Sequence, residues 1–272
     1  MKKHLSTIAM ILVLLVGLSL MLYPTVSDRW NAMHQSRAIA SYSEAVSGME
    51  NARYDELLAQ AQAYNAALTN RPGRFTMTDA ARAVYDGVLD VSGTGIMGYI
   101  EIPRIDCSLP IYHGTSEGVL QIAVGHIEGS SLPTGGLGTH CVLSGHRGLP
   151  SAKLFTSLDR MQIGDTFMLH VLDETLTYEV DQILTVEPED VSALAIDPQA
   201  DLCTLVTCTP YGINTHRLLV RGHRVETVKE RAPVVVTADA VRVAAWKVAL
   251  AVAAPLLLAF VLAALVLPRR RD

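Results

Sequence analysis

Hydrophobic residues are unevenly distributed along the chain, and the two longest apolar runs lie near its ends. The first run occupies residues 5–23 and the second residues 248–268, and neither contains a charged residue. Each is close to the roughly 20 residues with which a helix crosses a bilayer. The pattern predicts two transmembrane helices, an N-terminal anchor within residues 1–24 and a second helix within residues 246–272.

The N-terminal run has an alternative interpretation, which is a cleavable signal peptide. Its apolar stretch exceeds the length of about 7–15 residues that is usual for the core of such a peptide. No clear Ala-x-Ala cleavage site follows it. We therefore expect an uncleaved anchor and keep the signal peptide as the alternative.

Between the first apolar run and the middle of the chain, the pattern favours helices. Residues 25–70 are rich in Ala, Glu, Gln and Leu, with Ser27 as the expected N-cap and Gly48 as the expected break between two helices. Residues 71–94 begin and end in turn-forming residues, which predicts a short helix between them. The apolar face of the second helix is predicted to consist of Tyr54, Leu57, Leu58, Ala61 and Leu68.

From residue 95 to residue 228 the pattern changes to short apolar or alternating runs separated by Gly, Pro and Asp. These runs include IMGYIEI, THCVLSG, DTFMLHVL, TLTYEVDQILTV, LCTLVTC and HRLLVRGHRV. So many short strands in one segment predict a single β-barrel or β-sandwich. Residues 229–245 read as a linker to the second apolar run.

Charge predicts how the chain lies in the membrane. Lys2 and Lys3 precede the first run, and Arg269–Arg271 follow the second. Positively charged flanks stay in the cytoplasm, which predicts cytoplasmic termini and an extracellular segment, residues 25–244, next to the membrane lipid. The whole chain has a net charge of −5, so the segment without these basic flanks is still more acidic. An acidic external domain argues against nucleic acid as a partner.

The four cysteines, Cys107, Cys141, Cys203 and Cys208, differ in their surroundings. Two disulfides are possible outside the cell, but no spacing indicates them, and a domain of this length does not need them. Cys107 and Cys141 read as small core residues. Cys203 and Cys208 are five positions apart on one predicted strand, so their side chains face opposite sides. The sequence contains no Cys-x-x-Cys pair, so it predicts no zinc site.

Cys208 ends a predicted strand and precedes a loop, where reactive side chains are commonly displayed. A thiol is nucleophilic only as a thiolate, so it needs a base or a cation nearby. The returning strand offers His216 or Arg217, and we expect the Arg217 guanidinium to point inward beside the thiol. There it could donate hydrogen bonds to an oxyanion; the alternative is a barrel-rim arginine paired with a carboxylate.

The candidate base is a histidine displayed on a loop. His146 ends an apolar strand and lies in a glycine-flanked turn within VLSGHRGLPSAKLF. His126, within VGHIEGSSLP, is the competing candidate by the same argument. A cysteine–histidine pair with a cationic donor is suited to acyl transfer.

Several long blocks resemble one known family. TLVTC matches the TLxTC signature of sortases, and the longer run TLVTCTPYGINTHRLLVRGHR resembles class C, the pilin-polymerising sortases of Gram-positive bacteria. MGYIEIP, LPIYHGTSEGVLQIAVGHIEGSSLPTGG and LSGHRGLPSAKLFTSLDRMQIGD resemble the same class and occur in the same order. The resemblance covers roughly residues 95–225 and extends to the N-terminal helices and the second apolar run.

The resemblance implies a mainly β fold, the eight-stranded sortase β-barrel, with N-terminal helices and two flanking transmembrane helices. It implies that Cys208 is the nucleophile, His146 the general acid and base, and Arg217 the group that stabilises the oxyanion or the substrate. The substrate would be a pilin subunit with an LPxTG-like sorting signal, cleaved between Thr and Gly through a thioester. The acyl group would pass to a lysine amine of another pilin. No cofactor and no metal are implied.

The chain departs from the class C pattern in one segment. Class C sortases usually carry a lid before the barrel, in which an acidic residue and a proline precede an aromatic residue that covers the cysteine. The corresponding segment here reads NRPGRFTMTD. Phe75 would be the aromatic residue, while Gly73 and Arg74 replace the acid and the proline. We therefore expect a lid without the usual acidic latch.

Two other functions compete with pilin polymerisation. One is a hydrolytic cysteine peptidase or a housekeeping sortase that attaches surface proteins to peptidoglycan on the same scaffold. The second apolar run and the extended block after Cys208 argue against it. The other is a non-enzymatic, membrane-anchored β-domain, which predicts that Cys208 forms no acyl-enzyme.

Overall fold

Three helices precede the β-structure in the computed structural model, which describes residues 2–68 and 73–227. They are α1 (Lys2–Ser47), α2 (Asn51–Leu68) and α3 (Asp79–Gly87).

The boundary between the first two helices confirms the prediction for Gly48, which follows the end of α1. The prediction for Ser27 is wrong, because α1 is continuous through this residue. Pro24 lies inside the helix and removes only one backbone donor. The helix therefore does not restart after Pro24, and Ser27 has no helix terminus to cap.

Among the helices that these residues form, none combines the length and apolarity needed to cross a membrane. The second apolar run, residues 248–268, and the linker before it, residues 229–245, lie outside the described residues. Both transmembrane helices stay predictions.

The N-terminal helices are attached to the barrel by buried contacts. On α1, the hydroxyl of Tyr42 donates to the carbonyl of Met97 at 2.9 Å and accepts from the amide of Leu172 at 2.7 Å. These two bonds satisfy a side chain that is almost completely buried. Asn65 on α2 is bonded to both backbone groups of Leu132. The predicted apolar face of α2 is confirmed, since Leu57, Ala61 and Leu68 are buried while Tyr54 and Leu58 pack against the core.

Eight strands form a closed barrel in the order β1-β2-β3-β4-β7-β8-β6-β5. This confirms the predicted sortase-type barrel and excludes the sandwich. The neighbours β4 and β7 are parallel, whereas β7 and β8 are antiparallel. The strands are β1 (Ile96–Ile102), β2 (Cys107–His113), β3 (Val124–His126), β4 (Thr139–Ser144), β5 (Thr166–Val171), β6 (Glu174–Val186), β7 (Asp201–Thr209) and β8 (His216–Val225).

Two apolar clusters line opposite faces of the strands. The interior core contains Cys203 and Leu205 of β7. A smaller group, here called the outer cluster, consists of Val142, Leu194, Val206 and Leu219. Alternation along β7 therefore places Cys208 on the same outer face as Val206, opposite to Cys203, as the sequence predicts.

All four cysteines are free thiols. Cys141 and Cys203 are register partners on β4 and β7 and belong to the interior core. Burial raises the pKa of the Cys107 thiol to about 12, so this thiol stays protonated at neutral pH. Cys208 is only half-buried at the end of its strand.

Candidate active site

Three adjacent strands bring the predicted catalytic residues into one row. Cys208 on β7 is the register partner of Arg217 on β8. On the other side of β7, the parallel ladder with β4 ends at the pair Ser144 and Val206. His146 follows Ser144 by two residues, and Cys208 follows Val206 by two residues.

Hydrogen bonds continue past the end of the β4–β7 ladder. The amide of Gly145 donates to the carbonyl of Val206 at 3.0 Å, and the Thr207 hydroxyl donates to the carbonyl of Gly145 at 2.7 Å. A Cβ atom on Gly145 would lie 2.7 Å from the ring of Phe155, a core residue, so this position faces the interior. Alternation then places His146 on the outer face with Cys208.

The outward orientation of Arg217 corrects the expectation of an inward guanidinium. Leu218 and Val220 belong to the interior core, so the alternating positions Arg217 and Leu219 face outward. The guanidinium therefore avoids the desolvation that the barrel interior would impose.

The hydrogen bonds of Arg217 bear on its alternative role as a barrel-rim ion pair. Its Nη1 atom donates to the carbonyls of Asn214 and His216 at 3.2 and 3.1 Å, rather than to a carboxylate. His216, the other neighbour left open by the sequence, is the register partner of Thr209 and lies 3.2 Å from a Glu187 carboxylate oxygen. The residue opposite the thiol is therefore Arg217.

His126 is excluded from this row by its position. It is the register partner of Leu143, and its ring is completely buried. Its Nδ1 atom lies 2.9 Å from the Tyr85 hydroxyl, and its Nε2 atom lies 2.9 Å from the carbonyl of Ser131. These contacts occupy both ring nitrogens, so His126 acts as a structural residue.

The segment predicted to be a lid packs on the outer face next to this row. Phe75 contacts the outer cluster, of which Val206 lies two residues before Cys208 and Leu219 two residues after Arg217. Burying an aromatic ring on this cluster favours the observed position. The loop between β7 and β8, by contrast, exposes Tyr211 to solvent.

Arg74 fixes the segment predicted to be a lid, although the sequence predicts no latch there. Its Nη1 atom donates to the carbonyl of Gly129 at 2.7 Å, and its Nη2 atom donates to the carbonyl of Leu194 at 2.5 Å. The guanidinium carbon also lies 4.3 Å from the centroid of the Phe75 ring. The sequence shows a cationic residue, Arg74, directly before the aromatic Phe75. It could not show the partners of Arg74, because these are backbone carbonyls and leave no pattern among the side chains.

Close approach of the backbone fixes one glycine at this latch. Gly129 has a φ of +84°, and a Cβ atom there would lie 2.0 Å from the carbonyl oxygen of Arg74. A larger residue would therefore displace the segment that carries Phe75.

Comparisons with known proteins agree with this geometry. The family model described as "Sortase domain" matches residues 100–225. Sortase C1 from Streptococcus agalactiae is 52% identical, with a TM-score of 0.69 over 71% of this chain and 100% of that chain. Sortase C from Streptococcus pneumoniae is 48% identical, with a TM-score of 0.64 over 73% of this chain and 100% of that one.

A curated relative, Sortase D of Bacillus subtilis, is 31% identical over 131 residues, which are 47% of this chain and 63% of that protein. The match thus spans less than two thirds of that relative's length. The family model and the similar sortase structures show that the chain belongs to the sortase family. The similarity to the two sortase C structures places it, within that family, in class C.

Proposed function

We propose that this protein is a cysteine transpeptidase that links pilin subunits through an LPxTG-like sorting signal. The observation that carries the proposal is the single row on one barrel face formed by Cys208 of β7, Arg217 of β8 and His146, which follows the end of β4 by two residues. The sortase C structures from Clostridium perfringens and Streptococcus pneumoniae support the substrate class. The first was solved with a C-terminal cell wall sorting motif, and the second was described in terms of pilin substrate specificity.

The first half of the reaction forms an acyl-enzyme. The Cys208 thiolate attacks the carbonyl carbon of the Thr–Gly bond, and the carbonyl oxygen takes up negative charge. The Arg217 guanidinium donates hydrogen bonds to this oxyanion. His146 gives its proton to the nitrogen of the leaving glycine, the C–N bond breaks, and a thioester to Cys208 remains.

The second half transfers the acyl group. A lysine ammonium of another pilin loses one proton to solvent and becomes a nucleophilic amine. The amine attacks the thioester carbonyl, the neutral imidazole of His146 takes the second proton from the nitrogen as the amide bond forms, and the C–S bond breaks to release the Cys208 thiolate. This step restores the thiolate and the protonated imidazole with which the cycle begins. Water is the competing acceptor, so a closed groove favours the lysine amine over hydrolysis.

The outer cluster supplies an apolar floor for the sorting signal. Val206 and Leu219 lie two residues from Cys208 and Arg217 on their strands, and Phe75 packs against the outer cluster to which they belong. The apolar residues of an LPxTG-like signal would bury against the same surface. In this proposal Phe75 is a lid residue that the substrate displaces.

A membrane location completes the proposal. Both termini are cytoplasmic, the barrel is extracellular, and residues 1–24 stay attached as an anchor. The two apolar runs and their Lys and Arg flanks support this arrangement. In intact cells, an added protease should cut the barrel while epitope tags at both termini stay protected. A tag cut without cell lysis would contradict the topology.

The decisive experiment supplies the enzyme with a sorting peptide and two alternative acceptors. One is a lysine-containing pilin fragment, and the other is a peptidoglycan-type amine. We expect a thioester adduct on Cys208 and amide formation with the pilin lysine, neither of which occurs in Cys208→Ala. Exclusive transfer to the peptidoglycan-type amine would indicate a housekeeping sortase, and the lack of an adduct would indicate a non-enzymatic domain.

A further inference from the structure

Arg147, the residue after His146, has a largely buried side chain although it carries a charge. Its side chain is 9% exposed. Its Nη2 atom lies 2.7 Å from a carboxylate oxygen of Asp159, and its Nη1 atom donates to the Thr209 hydroxyl at 3.3 Å. The guanidinium carbon lies 5.8 Å from the centroid of the Tyr211 ring. Arg147 thus contacts the last residue of β7, Thr209, and Tyr211 in the loop that follows it.

Stability alone does not account for this arrangement. Within the described part of the chain, the buried Nε atom of Arg147 has no hydrogen-bond partner. Its carboxylate partner, Asp159, is 46% exposed, so the attraction is weakened by solvent. A buried, incompletely paired guanidinium gains little over an uncharged residue of the same shape. The planar guanidinium of Arg147 can, however, bind Asp159 and Thr209 at the same time.

The contact between Arg147 and Thr209 joins the residues that directly follow the two reacting groups. On the near side of the row, the β4 chain is tied to β7 by the bonds of Gly145 with Val206 and Thr207. On the far side, the hydrogen bond from Arg147 to Thr209 connects the two segments. His146 and Cys208 therefore lie between two cross-links.

From this geometry we infer that Arg147 is a positioning residue: its bond to Thr209, braced by Asp159, holds the His146 loop against the Cys208 strand during acyl transfer. The inference rests on the proposed function. Arg147 touches no reacting atom itself. It acts by keeping the imidazole within proton-transfer distance of the leaving and incoming amines, where small displacements are costly.

The test removes the Thr209 hydroxyl without changing the charged pair. Thr209→Val keeps the shape and the Arg147–Asp159 contact, whereas Thr209→Ser restores the hydroxyl. We expect Thr209→Val to lower kcat for transfer from a sorting peptide to a lysine peptide by about tenfold, with KM changed less than about twofold. Thr209→Ser should stay within about twofold of the parent enzyme in both constants.

Two further variants separate positioning from stability. Arg147→Lys keeps the charge but cannot bind Asp159 and Thr209 at the same time, so its kcat should fall as in Thr209→Val. The control is Arg221→Ala. Arg221 is on the same face of β8 as Arg217, and the substitution removes its bidentate pair with Asp181 of β6. It should lower the thermal midpoint without lowering kcat.

Three results would overturn the inference. The first is a Thr209→Val enzyme with the parent kcat, and the second is a loss that Thr209→Ser does not restore. The third is a fall in kcat that follows the thermal midpoint across all variants, including Arg221→Ala. In each case the parent enzyme is active, so the proposed function stands. An inactive parent enzyme, with no adduct on Cys208, would overturn both.

Discussion

At the residue scale, Cys208 is distinguished from the other thiols by its environment. Cys141 and Cys203 lie in the interior core, and burial raises the pKa of the Cys107 thiol to about 12. The buried thiols of Cys141 and Cys203 cannot reach a substrate, and a thiol that stays protonated, as at Cys107, is a poor nucleophile. Cys208 alone among the four combines a half-buried position with a cation as its register partner.

Cys208→Ala should therefore abolish acyl-enzyme formation and leave the barrel folded. Because the thiol lies at a strand end, outside both apolar clusters, we expect the free energy of unfolding to change by less than about 1 kcal/mol. Mass spectrometry of the sorting-peptide adduct and a thermal melt test the two statements. An adduct on Cys107, Cys141 or Cys203 would contradict the assignment.

Arg217→Lys tests whether the guanidinium acts as a donor with a fixed geometry. Lysine keeps the charge but loses the planar fork. We expect kcat/KM to fall by about two orders of magnitude, the usual effect of losing one oxyanion donor. Arg221→Lys, on the same face of the same strand, is the matched control and should be close to the parent enzyme. A near-normal rate in Arg217→Lys would make Arg217 a structural residue.

At the element scale, the sequence predicts the pairing of strands that are adjacent in the chain. The strand–loop–strand pattern around TPYGINT correctly predicts an antiparallel return that brings His216 or Arg217 beside Cys208, and the register of the folded sheet selects Arg217. The position of β4 beside β7 does not follow in this way. These strands are parallel, and long intervening segments separate them in the chain, so only barrel closure brings His146 to Cys208. The prediction that the Arg217 guanidinium points inward was wrong for the same reason. Which face of β8 is interior is determined only when the sheet closes into a barrel.

The lid segment gives the prediction at this scale. Without a latch, closure would depend on the Phe75 ring alone, which at full burial contributes roughly 1.5–3 kcal/mol before ordering entropy is subtracted. The two bonds from Arg74 to the Gly129 and Leu194 carbonyls add to this. We expect Phe75→Ala to speed alkylation of Cys208 by small thiol reagents several-fold. Arg74→Ala should speed it by more than about tenfold, because hydrogen bonds to charged groups are stronger than neutral ones.

Hydrolysis of the sorting peptide should rise in both lid variants, since water reaches the thioester more easily. The control is Arg82→Ala, which breaks the surface pair with Glu128, the residue before Gly129. It should leave alkylation unchanged. Equal alkylation rates in the parent, Phe75→Ala and Arg74→Ala enzymes would show that this segment is a linker and not a lid.

At the scale of the whole molecule, a buried histidine connects stability to pH. His140 on β4 is completely buried on the outer face. Its Nδ1 atom lies 2.8 Å from the carbonyl of Ala195, and its Nε2 atom lies 2.7 Å from the Thr204 hydroxyl. Burial is the main cause that lowers the pKa of His140 from 6.5 to about 4. Donation from Nδ1 to the carbonyl and acceptance by Nε2 from the hydroxyl fit the neutral ring.

The sign of the pH effect follows from this lowered pKa. Between pH 6.5 and 4 the unfolded chain binds a proton at His140 and the folded chain does not, so acid favours unfolding. The stabilisation is complete above pH 6.5, falls as the pH decreases, and is lost below about pH 4, a total of about 3 kcal/mol. Denaturant titrations of the barrel at several pH values should show this decline. His140→Gln, which keeps polar contacts without titrating, should flatten the curve over the same interval, and an unchanged slope in this variant would assign the acid sensitivity to other groups.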